Sequence, residues 1–140
     1  MPILTSAVQL AAKPFPQAIS PKTHAVLDYL TAGSFLLTAA LFWRRNKRAA
    51  IASLIAGGAG LAVDLLTNYP GGVKKAVNFR THREIDLGLA AITAILPEFL
   101  GFEDDAEKKF FLAKSAAITA ISQLTRFPDR SIRAERKYAA

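Results

Sequence analysis

KTHAVLDY (residues 22–29) and RTHREIDL (residues 80–87) share one pattern: a base, Thr, His, two residues, an aliphatic, Asp, then an apolar side chain. The two histidines of the chain both fall inside it. A shift of 58 residues lays one motif on the other without a gap. The same shift carries LTNYP (66–70) onto LTRFP (124–128), and Leu54, Ala59 and Ala62 onto Leu112, Ala117 and Ala120. Two motifs about forty residues apart, kept in register by one shift, point to an internal repeat. Chance among Ala- and Leu-rich helices explains the aliphatic matches but not the polar ones.

Each repeat reads as a helical hairpin, opened by THxxxD and closed by LTx[YF]P. Thr23 and Thr81 are expected to cap the first helices, and Thr81 with Glu84 forms a capping box. Pro70 and Pro128 are expected to stop the second helices. The resulting division is an arm (1–20), hairpin 1 (22–70), a basic connector (71–79), hairpin 2 (80–128) and a basic tail (129–140), all in a single domain.

Four apolar blocks supply the helices. Residues 29–43 and 49–63 carry no charge, and 87–97 and 115–125 are shorter. A helix bare of charge over about four turns is buried or in lipid. A spanning helix wants about 20 mostly apolar residues. Extension to Ala25–Trp43, Ala49–Thr67, Glu84–Leu100 and Lys109–Thr125 approaches that length if Asp28, Asp64, Asp86 and Lys114 are tolerated. The expected fold is therefore all-α, a four-helix transmembrane bundle of two tandem hairpins. A soluble bundle that buries its bare helices in an oligomer is the other architecture. Residues 3–12 are apolar but lack a preceding positive region, so the arm is read as uncleaved and lying on the membrane surface.

The net charge of +7 is unevenly placed. Two tandem hairpins put both THxxxD motifs, both LTx[YF]P motifs and both termini at one end. Eleven lysines and arginines lie there, against six at the other end. The bias puts the termini in the cytoplasm, although RRNKR (44–48) opposes it. Anionic lipid headgroups are expected partners of the basic face, VKKAVNF (73–79) included. Aromatics do not interleave with the bases, which argues against nucleic acid. The absence of cysteine removes disulfides and thiolate chemistry. No GxSxG, phosphate-binding loop or HExxH is present, so no enzyme is expected. GGAG (57–60) reads as small-residue packing through Ala56, Gly57 and Gly60.

Spacing of four puts His24 with Asp28, and His82 with Asp86, on one helix face each. In the first reading the aspartates are structural latches. Each would bind a donor at the end of a neighbouring helix: Thr67, Asn68, Tyr69, Thr125, Arg126 or a histidine. In the second, His24, Asp28, His82 and Asp86 converge as a tetrahedral ligand set for zinc, or the two histidines ligate haem. A shared ion requires the histidine nitrogens to stand about 3–4 Å apart. Asp64 is unrepeated, since Ser122 takes its place.

ISPKTH (19–24) keeps Ser20 and Pro21 in front of the first helix. Here the chain resembles the bacterial SPW-repeat membrane proteins, built of two-helix units opened by a Ser-Pro-Trp-like motif. Lys22 stands in place of Trp, and the second copy reads NFRTH. The resemblance covers residues 20–128. It implies a small multi-pass protein of the bacterial cytoplasmic membrane, without an activity or functional residues. A structural or accessory subunit, as a homo-oligomer or within a larger membrane assembly, is the function expected first. A divalent-metal or haem-binding membrane protein is the alternative.

Overall fold

The computed structural model describes residues 16–127; the N-terminal arm before them, Pro128 and the basic tail lie outside the described residues. Four helices follow in order: α1 (Pro21–Phe42), α2 (Lys47–Leu66), α3 (Phe79–Phe99) and α4 (Lys108–Leu124). The helices α1 and α2 pack as one hairpin, and α3 and α4 as a second. The hairpins meet through α2 with α3 and α1 with α4.

The helix starts differ from the expectation. Ser20 caps α1, its side chain accepting from the Thr23 N–H, and Asn78 caps α3 by accepting from the Thr81 N–H. Thr23 and Thr81 are inside the first turn. Pro21 at the first helical position has its φ preset and no N–H to satisfy, which fixes the start one turn earlier. The stops also differ. Thr67 and Thr125 already have extended backbone, so both second helices end at Leu66 and Leu124, four residues before their prolines.

The extended residues are paired. Thr67–Asn68 (β1) runs parallel to Val77–Asn78 (β2), Thr67 opposite Val77. Ile19 forms a parallel bridge with Thr125. Adding 58 to Ile19 and Thr67 gives Val77 and Thr125, so each hairpin's entrance pairs with the other's exit. The connector also folds over the end of α2. Val73 and Lys74 donate backbone N–H groups to the Leu65 carbonyl, and Ala76 donates to that of Leu66, satisfying carbonyls the helix leaves free.

At the opposite end the two charged hairpin tips join. Arg45 Nε donates to Glu107 at 2.7 Å, and Asn46 donates to Asp105 at 2.8 Å. The Glu107 carboxyl is held below its ordinary range by its own backbone N–H, with Arg45 and Asn46 adding to the effect. Gly101, with φ 73, turns the chain out of α3 in a left-handed conformation that L side chains rarely adopt.

Small and aromatic side chains fill the interior, and many large aliphatics lie outside it. The interior holds Ala25, Ala32, Ala39, Ala49, Ala50, Ala52 and Ala56, with Phe35, Phe102 and Phe111 filling its far half. Large aliphatics face outward, Leu30, Leu37 and Leu41 being 64%, 64% and 69% exposed along α1. Helices α1 and α2 are long and apolar enough to cross a membrane. A Cβ on Gly57 would come within 2.8 Å of the Phe35 Cβ, so the expected close helix approach is real at Gly57. At Gly60 an added Cβ would make an ordinary 3.9 Å contact with Ala32.

Candidate metal centre

His24 and His82 each sit in the first turn of a leading helix, and both are fully buried. Asp28 and Asp86 follow one turn deeper. The packing of the two hairpins turns the two pairs toward each other. His24 Nε2 stands 3.4 Å from His82 Nε2. It lies 3.1 Å from Asp28 Oδ2 and 3.3 Å from Asp86 Oδ2. His82 Nε2 is 3.0 Å from each of the same two oxygens. All four atoms lie within 4.8 Å of one another.

The far side of each imidazole is fixed by a threonine from the end of a neighbouring helix. His24 Nδ1 meets Thr125 Oγ1 at 2.6 Å, and His82 Nδ1 meets Thr67 Oγ1 at 2.7 Å. Each hydroxyl has one hydrogen. That of Thr67 goes to the Val63 carbonyl and that of Thr125 to the Ile121 carbonyl, one turn back in their own helices. Toward histidine each hydroxyl is therefore an acceptor, and Nδ1 carries the proton. This leaves Nε2 on both rings aimed at the centre. A neutral Nε2 there is a lone pair facing carboxylate oxygens, an arrangement that needs either a proton or a cation between them.

The donors available to the aspartates are narrower than the sequence reading allowed. Both carboxylates meet the two histidines, and Asp86 additionally accepts from Ser122 at 3.4 Å. Thr67 and Thr125 bind the histidines instead of the aspartates. Arg126 turns away and donates to the Gln17 carbonyl. Tyr69 Oη has no hydrogen-bond partner among the described residues. Thr23 and Thr81 are exposed and take no part.

Tyr69, Phe79 and Phe127 close the end of the centre. Phe127 stands edge-on to His24 at 5.8 Å, Tyr69 lies 5.1 Å from His82, and Phe79 touches both other aromatics. Tyr69 and Phe127 are the variable aromatic of LTx[YF]P in its two copies. Their role as a lid was not read from the sequence, although their repetition beside the threonines was the available signal.

The arrangement suits a single ion. In a regular tetrahedron the edges are about 1.63 times the metal–ligand distance, or roughly 3.3–3.4 Å for the 2.0–2.1 Å bonds of zinc to imidazole and carboxylate. The nitrogen–nitrogen edge of 3.4 Å and the four nitrogen–oxygen edges of 3.0–3.3 Å fall on or just inside that value, and the sixth, oxygen–oxygen edge lies within the 4.8 Å span of the set, so a tetrahedral ion requires the two carboxylates to draw together. Haem does not fit between these histidines. Carboxylate oxygens within 3.3 Å of both nitrogens occupy the space a porphyrin plane would need.

No family model matches the sequence, and no curated protein or solved structure matches it significantly.

Proposed function

We propose that this is a small integral membrane protein whose two hairpins are clamped together by one buried divalent ion of the zinc class. The ligands are His24, Asp28, His82 and Asp86, and the protein serves as a structural or accessory subunit. The observation that carries the reading is the convergence of both Nε2 atoms on two carboxylates, each nitrogen within 3.0–3.4 Å of the other three ligand atoms. Charge supports it as well. A divalent ion with two carboxylates and two neutral imidazoles sums to zero, the least costly state for a buried site. The threonine acceptors behind both imidazoles are the outer-shell partners that orient metal-ligating histidines. Four protein ligands make a closed site, which is the structural type and not the catalytic one.

Membrane placement is supported by the two long apolar helices and by the outward-facing leucines and isoleucines of all four. In this reading α3 and α4 also span, with Lys114 held inside against Ser34 and the Phe35 and Phe110 rings. The equivalent caps, threonine contacts and strand pairs at a constant shift support an ancestral tandem duplication. The protein purified in detergent is expected to hold about one zinc-class ion per chain by elemental analysis. His24→Ala with His82→Ala should abolish it. Carbonate extraction should leave the protein in the membrane pellet, whereas release as a monodisperse soluble species would refute the placement.

A second reading rests on the same distances. Spacings of 3.0–3.3 Å also suit N–H···O bonds from protonated imidazoles, so the four residues can latch α1 to α3 without an ion. A chain that purifies metal-free and declines added zinc would select it.

A further inference from the structure

One position breaks the two-fold correspondence of the centre. Ser122 on α4 donates to the Asp86 carboxylate, whereas the residue 58 positions earlier, on α2, is Asp64. The first hairpin thus brings a third carboxylate where the second brings a hydroxyl. Asp64 is 3% exposed, and its Oδ2 has no hydrogen-bond partner among the described residues. It lies in the wall of a partly open cavity that Asp28, Asp86, Thr31 and Thr93 also line, with about 30 Å³ of room for the centres of water-sized spheres. At roughly 10–15 Å³ per occupant, that is space for two small guests. The histidines are not in this wall. The cavity therefore lies behind the carboxylates, on the side away from the imidazoles.

We propose that this cavity is a second cation site, for a small singly charged cation of the sodium class. Asp64, Asp28 and Asp86 supply the carboxylate oxygens, and the Thr31 and Thr93 hydroxyls complete the set. The polar groups in this wall are all oxygen-bearing, set among apolar side chains such as Phe35, Leu89 and Ile118, and oxygen donors select a hard cation, in contrast to the mixed nitrogen and oxygen set on the histidine side. Charge selects a single positive charge. With Asp64 ionised, three carboxylates carry −3, a divalent ion among the histidines supplies +2, and one unit remains to be balanced where an unpaired charge is costly. Asp28 and Asp86 face the histidines through Oδ2, and a carboxylate can bridge two cations through its two oxygens. The inference borrows these two residues from the proposed metal centre, but the test does not require that centre to be filled.

The test is thermal unfolding of the full chain in detergent, titrated with sodium chloride against choline chloride at equal ionic strength. Sodium is expected to raise the midpoint saturably, beyond any effect of choline. Asp64→Ser, which copies the second hairpin, and the isosteric Asp64→Asn should lose the sodium-specific rise while keeping the zinc content of the parent. Equal midpoints in the two salts for the parent, or a sodium-specific rise that survives both variants, would overturn the site. Zinc content is measured on the same samples. A chain without zinc that still shows an Asp64-dependent sodium effect refutes the metal centre alone, and one with zinc but no sodium effect refutes the cavity site alone.

Discussion

The Nε2 atoms of His24 and His82 stand 3.4 Å apart although 58 residues of chain separate them. Two histidines from different helices reach this distance because each is held from behind, His24 by Thr125 and His82 by Thr67. The threonine that orients each ring comes from the other hairpin. The centre therefore assembles only when the hairpins dock.

Removing those acceptors tests the orientation. Thr67→Val and Thr125→Val keep the side-chain shape and delete the oxygen that receives the Nδ1 proton. Each is expected to weaken zinc binding about 10–100-fold, the usual effect of losing an outer-shell partner. A competition titration against a chelator of known affinity measures it. Unchanged affinity in both variants would mean that the threonines do not set the ring orientation.

Asp28→Ala and Asp86→Ala each remove an acceptor shared by two buried imidazoles. The expected loss is about 1–3 kcal/mol for the apo protein, measured by chemical unfolding in detergent. The metal-loaded parent should lose more, because the ion is released as well. Variants that unfold like the parent in both states would remove the aspartates from the account.

Gly57 and Gly58 are neighbours with opposite surroundings. A Cβ at Gly57 meets Phe35 Cβ at 2.8 Å, while one at Gly58 meets nothing within 4 Å. Gly57→Ala should destabilise by about 1–3 kcal/mol through overpacking of α1 against α2. Gly58→Ala should be neutral, or stabilise by up to about 1 kcal/mol through helix propensity. Unfolding midpoints of the two variants decide the contrast, and equal effects would contradict the packing.

The tie between the hairpin tips should be weak and acid-sensitive. Arg45 is 68% exposed, so Glu107→Gln is expected to cost only about 0.2–1 kcal/mol. The Glu107 carboxyl is held below its ordinary range. Its contribution is therefore present above the unfolded carboxylate pKa and disappears as the pH falls through the lower folded value. Parent and Glu107→Gln should converge in stability at acid pH, as pH-resolved unfolding would show. A difference that persists in strong acid would contradict the assignment.

Much of this was legible in the sequence because each motif occurs twice, 58 residues apart. THxxxD placed His24, Asp28, His82 and Asp86 on two helix faces, and LTx[YF]P placed the helix ends beside them. The caps were misread by one turn. Ser20 and Asn78 lie three residues before Thr23 and Thr81, all four are capping residue types, and Pro21 after Ser20 was the deciding local clue. Pairing of Ile19 with Thr125 and of Thr67 with Val77 joins distant segments, and no local pattern announces it. For the same reason the threonines were assigned to the aspartates when they serve the histidines. The tips RRNKR and GFEDDAEK share no pattern, and their meeting was not read from the sequence, although their opposite charge was the available signal.

The most direct test of the central claim is X-ray absorption at the zinc edge of the zinc-loaded, detergent-purified protein. The account predicts a first shell of two imidazole nitrogens and two carboxylate oxygens, all at about 2.0–2.1 Å. The His24→Ala, His82→Ala double variant should show no bound zinc. A shell of oxygen alone, a shell with one imidazole, or a parent protein that takes up no zinc would contradict it.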